Sequence, residues 1–578
     1  MGQARSSEVG IIPPAATIRT IGVGLALVAC AMDPLARGAD PKRVTLLVAG
    51  FAFLVWTASR GRSLAREGPD ATPAPIVAGS VFLAASLVSW MWGEPRGFET
   101  ASTLLAGALL VLAARGLAGD ERVHLARIAA TATGALAGAV ATVELVVRGR
   151  AMVHGGQGNP DWLGLLLAVV LPITAEHAAI TRSREKVLLI SAAAFEALVL
   201  LLSESRSGWI AAAVALAVVA WGRLARAATL TGVSASGLVL LASRTAEAAG
   251  PPGFHDKDAA LALAGRLYLA RQSAGIVLGT SPFGVGLGGF HRAFLAEQGR
   301  SLAKLPPEAA ERAFLNADHA HSDWLEVAAE SGILALASLA IAVVLGVRSL
   351  ARARFFGGAG ALAAFAVLAL VDSPLRQPAV VAMLALVIAC CPAGAPSTIG
   401  PPRWLVLVVA AGLGAWCTSL SARAWWATRL VTQAESAPLD ARRAVLARAE
   451  RIDPGTGEAA LARGLFDLAD GRWDGAEEAL TRSAARLPGV GTLIAIGNAR
   501  MGSGRIRPAI ASYEAALALH PGSLRAHTNL GEALLATGDL ERAGEHERIA
   551  RRLSPGHPKV VELSERLKAR AYARQVGE

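Results

Sequence analysis

Two arginines and one histidine are the residues of this chain whose types best suit chemistry. Arg206 stands in Ser203-Glu-Ser-Arg-Ser-Gly-Trp209 between two apolar runs, and Arg266 in Gly265-Arg-Leu-Tyr268. A guanidinium stays charged at ordinary pH and presents a planar fork of donors that matches phosphate oxygens. Two of them at one membrane surface could clamp a diphosphate, whereas either one alone reads as an arginine snorkelling to the interface. His321 lies in Asp318-His-Ala-His-Ser-Asp-Trp-Leu-Glu326. A histidine, with a reference pKa of about 6.5, serves as a general base or a hydrogen-bond donor, and equally as a helix cap or structural residue. His319, Asp323 and Glu326 are its candidate supports. His319 and His321 are two residues apart, which does not put them on one helical face, and no third His or Cys ligand follows, so no metal site is expected. The run Ser281-Pro-Phe-Gly-Val-Gly-Leu-Gly-Gly-Phe290 lacks the strand-to-helix context of a dinucleotide loop and reads as a tight re-entrant turn.

The elements that must position these residues are membrane helices. Of 578 residues, 53% are hydrophobic and 17% charged, and mean hydropathy is +0.45, values of a chain largely dissolved in lipid. The net charge of +11 sits in short clusters between apolar runs, with no basic stripe and interleaved aromatics, so nucleic acid is not an expected partner. Cys30, Cys390, Cys391 and Cys417 all fall in apolar runs and read as packing residues. Runs of spanning length recur near 20–36, 44–59, 74–92, 100–118, 125–147, 161–181, 186–203, 207–222, 228–243, 332–347, 357–372, 378–391 and 403–422. The fold expected is all-α, with a polytopic membrane domain of about 12–13 spans over residues 1–422. The first run has no small-residue cleavage site and is expected to act as an uncleaved first span.

Arginine and lysine collect in every second short loop, at Arg60, Arg62 and Arg66; Arg115, Arg122 and Arg127; Arg182, Arg184 and Lys186; Arg223 and Arg226; and Arg348, Arg352 and Arg354. Basic loops are retained in the cytoplasm. This places the N-terminus inside, and outside it places the Arg206 loop, the long segment 244–331, the turn from Asp372 to Gln377 and everything after the last span. The first outer loop, with Arg37, Lys42 and Arg43, runs against the pattern.

After Trp425 and Trp426 the composition becomes that of a soluble helical protein. Gly497, Ala509, Ala516 and Pro521 recur as Gly531, Ala543, Ala550 and Pro555, and a third set, Gly464, Ala476 and Pro488, precedes them. Small residues at these places let two antiparallel helices pack closely, and the proline ends the second, which is the tetratricopeptide pattern. Residues 423–578 are thus expected to form an α-solenoid, with a degenerate further unit ending at Pro454. Such a stack offers a concave surface for a protein or peptide partner.

Taken together the segments resemble the O-antigen ligase and polymerase family. His321-Ser322, followed after nine residues by Gly332, is similar to its His-[Asn/Ser/Gln]-x9-Gly-x-x-[Gly/Thr/Tyr] signature, with Ala335 at the last position as a departure. Gly265-Arg266, the 282–290 turn, Ser205-Arg206-Ser207-Gly208, Gly158-Asn159-Pro160-Asp161-Trp162 and Asp372-Ser373-Pro374-Leu375 are similar to family segments too, over about residues 150–390. The resemblance implies transfer of a glycan from an undecaprenyl-diphosphate-linked donor to an acceptor hydroxyl on a lipid core or a protein. The implied place is the outer face of the bacterial inner membrane, and no nucleotide, metal or other cofactor is implied. His321 would be the catalytic base and Arg206 and Arg266 the diphosphate-binding residues, and the repeat tail would be periplasmic. Ligase, polymerase joining repeat units and protein O-oligosaccharyltransferase are not separated by the sequence. A lipid-linked glycan flippase or another transporter would show charged residues near the midplane of the spans.

Overall fold

A computed structural model describes residues 46–50, 52–53, 74–94, 97–117, 119–148, 153, 157, 159–224, 256–280, 282–392, 403–455 and 457–576. The spans expected at 20–36 and 228–243, most of 44–59, and the basic residues 37–66 lie outside them. The described residues are helical, with no strand among them.

The membrane part comprises α1 (Ala74–Ser89), α2 (Phe98–Arg115), α3 (Gly119–Arg148), α4 (Pro160–Ile180), α5 (Glu185–Leu202) and α6 (Arg206–Leu224), then α7 (Asp256–Gly279), α8 (Phe290–Leu302) and α9 (Pro307–Ala313). It continues with α10 (Asp323–Arg352), α11 (Phe356–Val371), α12 (Pro378–Ala389) and α13 (Arg403–Ser436). Five of these, α1, α2, α3, α4 and α10, are long and apolar enough to cross a membrane, and α11 and α12 are shorter apolar helices. The described part of 244–331 is thus largely helical rather than an open loop: α7 and α8 pack with residues 315–329 around Phe290 and Phe294, both fully buried.

Helix α4 is the centre of the bundle. Asn159 caps it by accepting from the Asp161 amide at 2.8 Å, Pro160 starts it without a wasted N–H, and Leu163, Leu165, Leu166, Leu167, Ala168, Val169 and Val170 are all fully buried. Bare backbone lets neighbours approach it. Cβ atoms at Gly357 and Gly360 of α11 would press on Pro172 and Ile173, and one at Gly208 of α6 on Gly164, the small-residue packing that membrane helices use in place of a hydrophobic driving force. On the far side of α5, Val187, Leu188, Ile190, Leu198 and Leu201 are exposed, as a lipid-facing surface requires.

Helix α10 is not one rod. Gly332 has φ 83° and ψ 178°, a backbone only glycine adopts at low cost, and it divides a short first half, Asp323 to Ser331, from the long apolar second half. The expected span at 332–347 therefore starts at a break.

The tail follows without a gap: α13 runs 34 residues, straight through the compositional change near Trp425, because no Gly or Pro stands between Gly414 and Pro438. Then come α14 (Leu439–Ile452), the pairs α15 (Glu458–Ala469) with α16 (Trp473–Arg486), α17 (Val490–Gly502) with α18 (Ile506–Leu519), α19 (Leu524–Thr537) with α20 (Leu540–Leu553), and α21 (Pro558–Val576). The repeated small residues are the close contacts: a side chain at Gly464 would strike Leu480, and one at Gly497 would strike the ring of Tyr513. Tyr513 is 1% exposed, and its hydroxyl donates to Asn498 Oδ1 at 2.9 Å.

The tail also touches the membrane part. His291 Nε2 lies 3.0 Å from the Pro488 carbonyl, Arg292 donates to the Ala485 carbonyl at 2.9 Å and to Glu94 at 2.5 Å, and Arg552 meets Glu308 at 3.0 Å. The ring of His520 stacks on Phe314 at 3.8 Å, with Nε2 2.9 Å from Glu311.

Candidate functional site

The first half of α10 organises one mouth of the bundle. Ser322 caps it, accepting from the Leu325 amide and donating to the Ala369 carbonyl at 3.0 Å. Asp323, Glu326 and Glu330 follow at spacings that put them on one face, and all three are buried. Buried carboxylates require partners, and these three tie α10 to the 374–376 turn, the 318–320 loop and the start of α8. Asp323 accepts from the Leu375 amide at 2.7 Å. Glu326 accepts from the Ala320 amide at 3.0 Å and from Arg376 at 2.6 Å, with His319 Nδ1 at 3.3 Å. Glu330 accepts from the Phe290 amide at 3.1 Å.

The glycine-rich run is a turn, with positive φ at Gly284, Gly286 and Gly288. It lies in the break of α10: Val285 N donates to Ala329 O at 2.8 Å, Gly286 N to Glu330 O at 3.0 Å, and Ile333 N to Pro282 O at 3.0 Å. The carbonyls and amide that the break removes from the helix ladder are thus satisfied by the turn.

His321 precedes the cap. It is exposed and has φ 48°, a left-handed conformation that histidine visits more often than most residues. Its electrostatic neighbour is Asp372, just past the end of α11, whose carbonyl accepts from the Asp323 amide at 3.1 Å. Burial raises the Asp372 carboxyl above its usual range, and the Ser373 amide at 2.8 Å, His321 and Arg266 pull it the other way, while Asp161 adds to the rise. His321, Arg266 and Asp161 are therefore each within electrostatic reach of Asp372. Arg206 is the first residue of α6, where Ser205 Oγ accepts from the Gly208 amide at 3.3 Å. Ser205 packs on Gly164 of α4, one turn from Asp161, so Arg206 lies at the same end of the bundle.

His319 does not stand with His321. It faces a second space, a cleft of about 180 Å³ lined by Glu99, Gly288, His291, Asp318, Glu330 and Arg376 as well. Arg376 is the residue that sequence reasoning passed over. Its partners Glu326 and Glu99, the latter at 3.9 Å, are 50 and 277 positions away, so no local spacing announces it. Asp372 and Asp161 were within noticed segments, but nothing in the sequence alone assigned them to His321.

A polytopic helical body, a mouth built by a broken helix and the glycine-rich turn that docks in it, and a helical-repeat tail define the class: a multi-pass membrane protein with a helical-repeat solenoid. Residues 189–340 match the family described as O-Antigen ligase, and residues 494–558 match the description Tetratricopeptide repeat. The chain carries an O-antigen ligase domain with a tetratricopeptide tail. That supports a function of the O-antigen ligase or polymerase type and a place in the bacterial inner membrane. The matched range contains Arg206, Arg266, His321 and Gly332 and leaves out Asp161, Asp372 and Arg376. No curated protein matches. Among solved structures, the crystal structure of the APC/C hetero-tetramer Cut9-Hcn1 is 12% identical over 91% of this chain and 90% of that chain, with a TM-score of 0.23, too low to compare folds.

Proposed function

We propose that this protein transfers a glycan from a polyprenyl-diphosphate-linked donor to an acceptor hydroxyl at the outer face of the membrane, with its tail on that same side. The observation that carries the reading is that His321 and Arg266 both act electrostatically on Asp372 at one end of the bundle. As the acceptor oxygen bonds to the donor sugar, the bond from that sugar to the phosphate breaks and polyprenyl diphosphate departs as an anion, and fixed cations at this leaving group stabilise its charge most where water is scarce. Arg266 fills this role, joined by Arg206, whose place at the start of α6 adds the positive end of the helix dipole. The acceptor hydroxyl must lose its proton as the new bond forms, and exposed His321 is placed to take it. Asp372 is a positioning residue that orients the imidazole and balances the positive charge His321 acquires. The acceptor hydroxyl is carried by a lipid core or a protein, and the repeat tail is where a protein partner would be held.

The test is complementation of a deletion strain with His321→Ala, Arg266→Ala and Arg206→Ala at matched membrane levels, with surface glycans resolved on gels. Loss of high-mass glycan in all three supports the assignment, and wild-type profiles from all three would sink it. A single added repeat in place of a full ladder would point to polymerisation as the lost step. A reporter active only in the cytoplasm, fused after Trp426, tests the side of the tail: activity there overturns the outward placement.

A further inference from the structure

The repeat tail reaches the segment that leads to His321. Residues 314–322, between α9 and α10, form no helix, and the tail and α8 hold them at successive points. The ring of Phe314 stacks on His520 of the tail at 3.8 Å. Gln298 of α8 then grips Leu315, accepting from its amide at 2.8 Å and donating to its carbonyl at 2.9 Å. The Ala317 carbonyl lies 3.0 Å from His291 Nδ1, and on the other side of the same ring Nε2 lies 3.0 Å from the Pro488 carbonyl of the tail. His321 follows shortly after Ala317.

The chemistry at His291 suits a tie between two moving parts. Its nitrogens face oxygens that only accept: the two carbonyls, and Asp318 Oδ1 at 3.2 Å from Nδ1. A ring with a hydrogen on each nitrogen donates to both sides at once, and this ring is largely withdrawn from water. The tail's side is prepared for donors, because Ala485 and Pro488 stand at the C-terminal end of α16, where carbonyls are left over from the helix ladder and the dipole favours positive charge. Arg292 donates to the Ala485 carbonyl at 2.9 Å and to Glu94 at 2.5 Å, which fixes the first turn of α8 beside the ring. Docking itself comes from close backbone approach: a Cβ at Gly299 of α8 would strike the Ala518 carbonyl, and one at Gly522 of the tail would strike the backbone of α9. His291 passes the docked position on to Ala317.

We propose that His291 is a positioning residue that ties the repeat tail to residues 314–318, so that the docked tail holds His321 in place and is a working part of the site. The effect on the reaction rests on the reading of His321 given above, whereas the tie itself does not. Two substitutions cut it from opposite sides. His291→Asn puts an amide nitrogen near the place of Nδ1, which keeps the Ala317 bond and loses the Pro488 bond. His291→Gln puts one near the place of Nε2, which keeps the Pro488 bond and loses the Ala317 bond.

Hydrogen–deuterium exchange of the full chain in phosphatidylcholine nanodiscs reads the segment through the amides of Leu315 and Ala320, which donate to Gln298 and Glu326. Both amides are expected to exchange about five- to tenfold faster in either variant, the measure of one lost hydrogen bond, while residues 333–352 and 524–553 keep their rates. Wild-type rates in His291→Asn would mean that Ala317 is held without the tail, and overturn the tie. Wild-type rates in both variants would take His291 out of the positioning altogether. With lipid-linked glycan extracted from the deletion strain as donor, each variant is expected to show a kcat about ten- to a hundredfold lower and an unchanged KM for the donor, because Arg206 and Arg266 are untouched. His321→Asn is expected to leave the exchange of Leu315 as it is, which keeps the two assignments apart. Faster exchange with unchanged kcat upholds the tie and counts against His321 as the base, and lower kcat with wild-type exchange overturns the tie.

Discussion

The carbonyl of Pro282 takes the backbone hydrogen bond of Ile333 at 3.0 Å, and by doing so it fills the gap that Gly332 opens in α10. A Cβ at Gly332 would overlap that same carbonyl, and φ of 83° would strain any other residue. Both penalties act together in Gly332→Ala: strain of about 1–3 kcal/mol and overpacking of similar size. The variant is expected to lower the thermal midpoint of the detergent-solubilised protein markedly and to abolish glycan output, because the turn can no longer dock. Ala335, just beyond the break, supplies the control: it is helical and buried, and Ala335→Gly is expected to cost only about 1 kcal/mol. Equal midpoints for the two variants would refute this account of the break.

The pairing of Arg376 with Glu326 can be weighed by a double-mutant cycle. Both side chains are largely withdrawn from water, so removing one strands the other, at a cost of about 3–5 kcal/mol. Arg376→Met or Glu326→Gln alone should therefore destabilise strongly, and the double variant should recover a large part of the loss. Additive losses in thermal unfolding would mean that the two residues act independently.

The sequence made much of this fold legible and left its joints hidden. Apolar runs locate helices α1 to α6 because burial in lipid demands unbroken apolar length, and the recurring Gly, Ala and Pro locate the repeats because close helix packing demands small residues at fixed places. The break at Gly332 is another matter: its glycine lies inside an apolar run, and only the docking of residues 282–286 reveals why a positive φ is needed. Likewise α13 ignores the change of composition near Trp425, since composition sets what surrounds a helix and does not stop it. His321, Arg206 and Arg266 could be chosen by residue type, whereas Asp372 and Arg376 acquire their roles from partners far away along the chain.

His321 carries an expectation that separates backbone from chemistry. His321→Gly relaxes the left-handed φ of 48° and His321→Asn tolerates it, so both variants should fold and reach the membrane. Each should lose about 10²–10⁴-fold in transfer rate, the usual contribution of a positioned general base. Retained transfer in the asparagine variant would show that a hydrogen-bonding side chain suffices and that no proton is taken there.

The repeat tail should weaken in acid. His527 Nδ1 lies 2.9 Å from His546 Nδ1, and His527 Nε2 lies 2.9 Å from the Pro521 carbonyl. With Nε2–H donating to the carbonyl, Nδ1 of His527 must accept, which requires the neutral ring. Burial pushes His527 down from 6.5 to about 4, with His546 adding to the fall. Between those values the unfolded chain binds the proton and the folded chain does not, so stability is present above pH 6.5 and is lost as pH falls toward about 4. The loss is up to about 3 kcal/mol. Thermal unfolding of the tail, followed by limited proteolysis of the full chain from pH 7 to 4.5, should show it. In His527→Gln the pH dependence should flatten.

Docking of the tail on the membrane part is expected to depend on shape more than on charge. The pair Arg552–Glu308 is partly exposed, and such pairs contribute about 0–1 kcal/mol, so Arg552→Ala should leave docking intact. Gly522 is different: a side chain there would strike the backbone of Pro307 and Glu311 on α9, and neither can yield without moving the helix. Gly522→Leu should therefore lift the tail away from α9. A short bis-maleimide cross-link between Glu308→Cys and Arg552→Cys, in a background with Cys30, Cys390, Cys391 and Cys417 replaced by Ala, reads the outcome directly. It should form readily in that background and poorly with Gly522→Leu added. Efficient cross-linking in both would mean that the tail is held by contacts other than these.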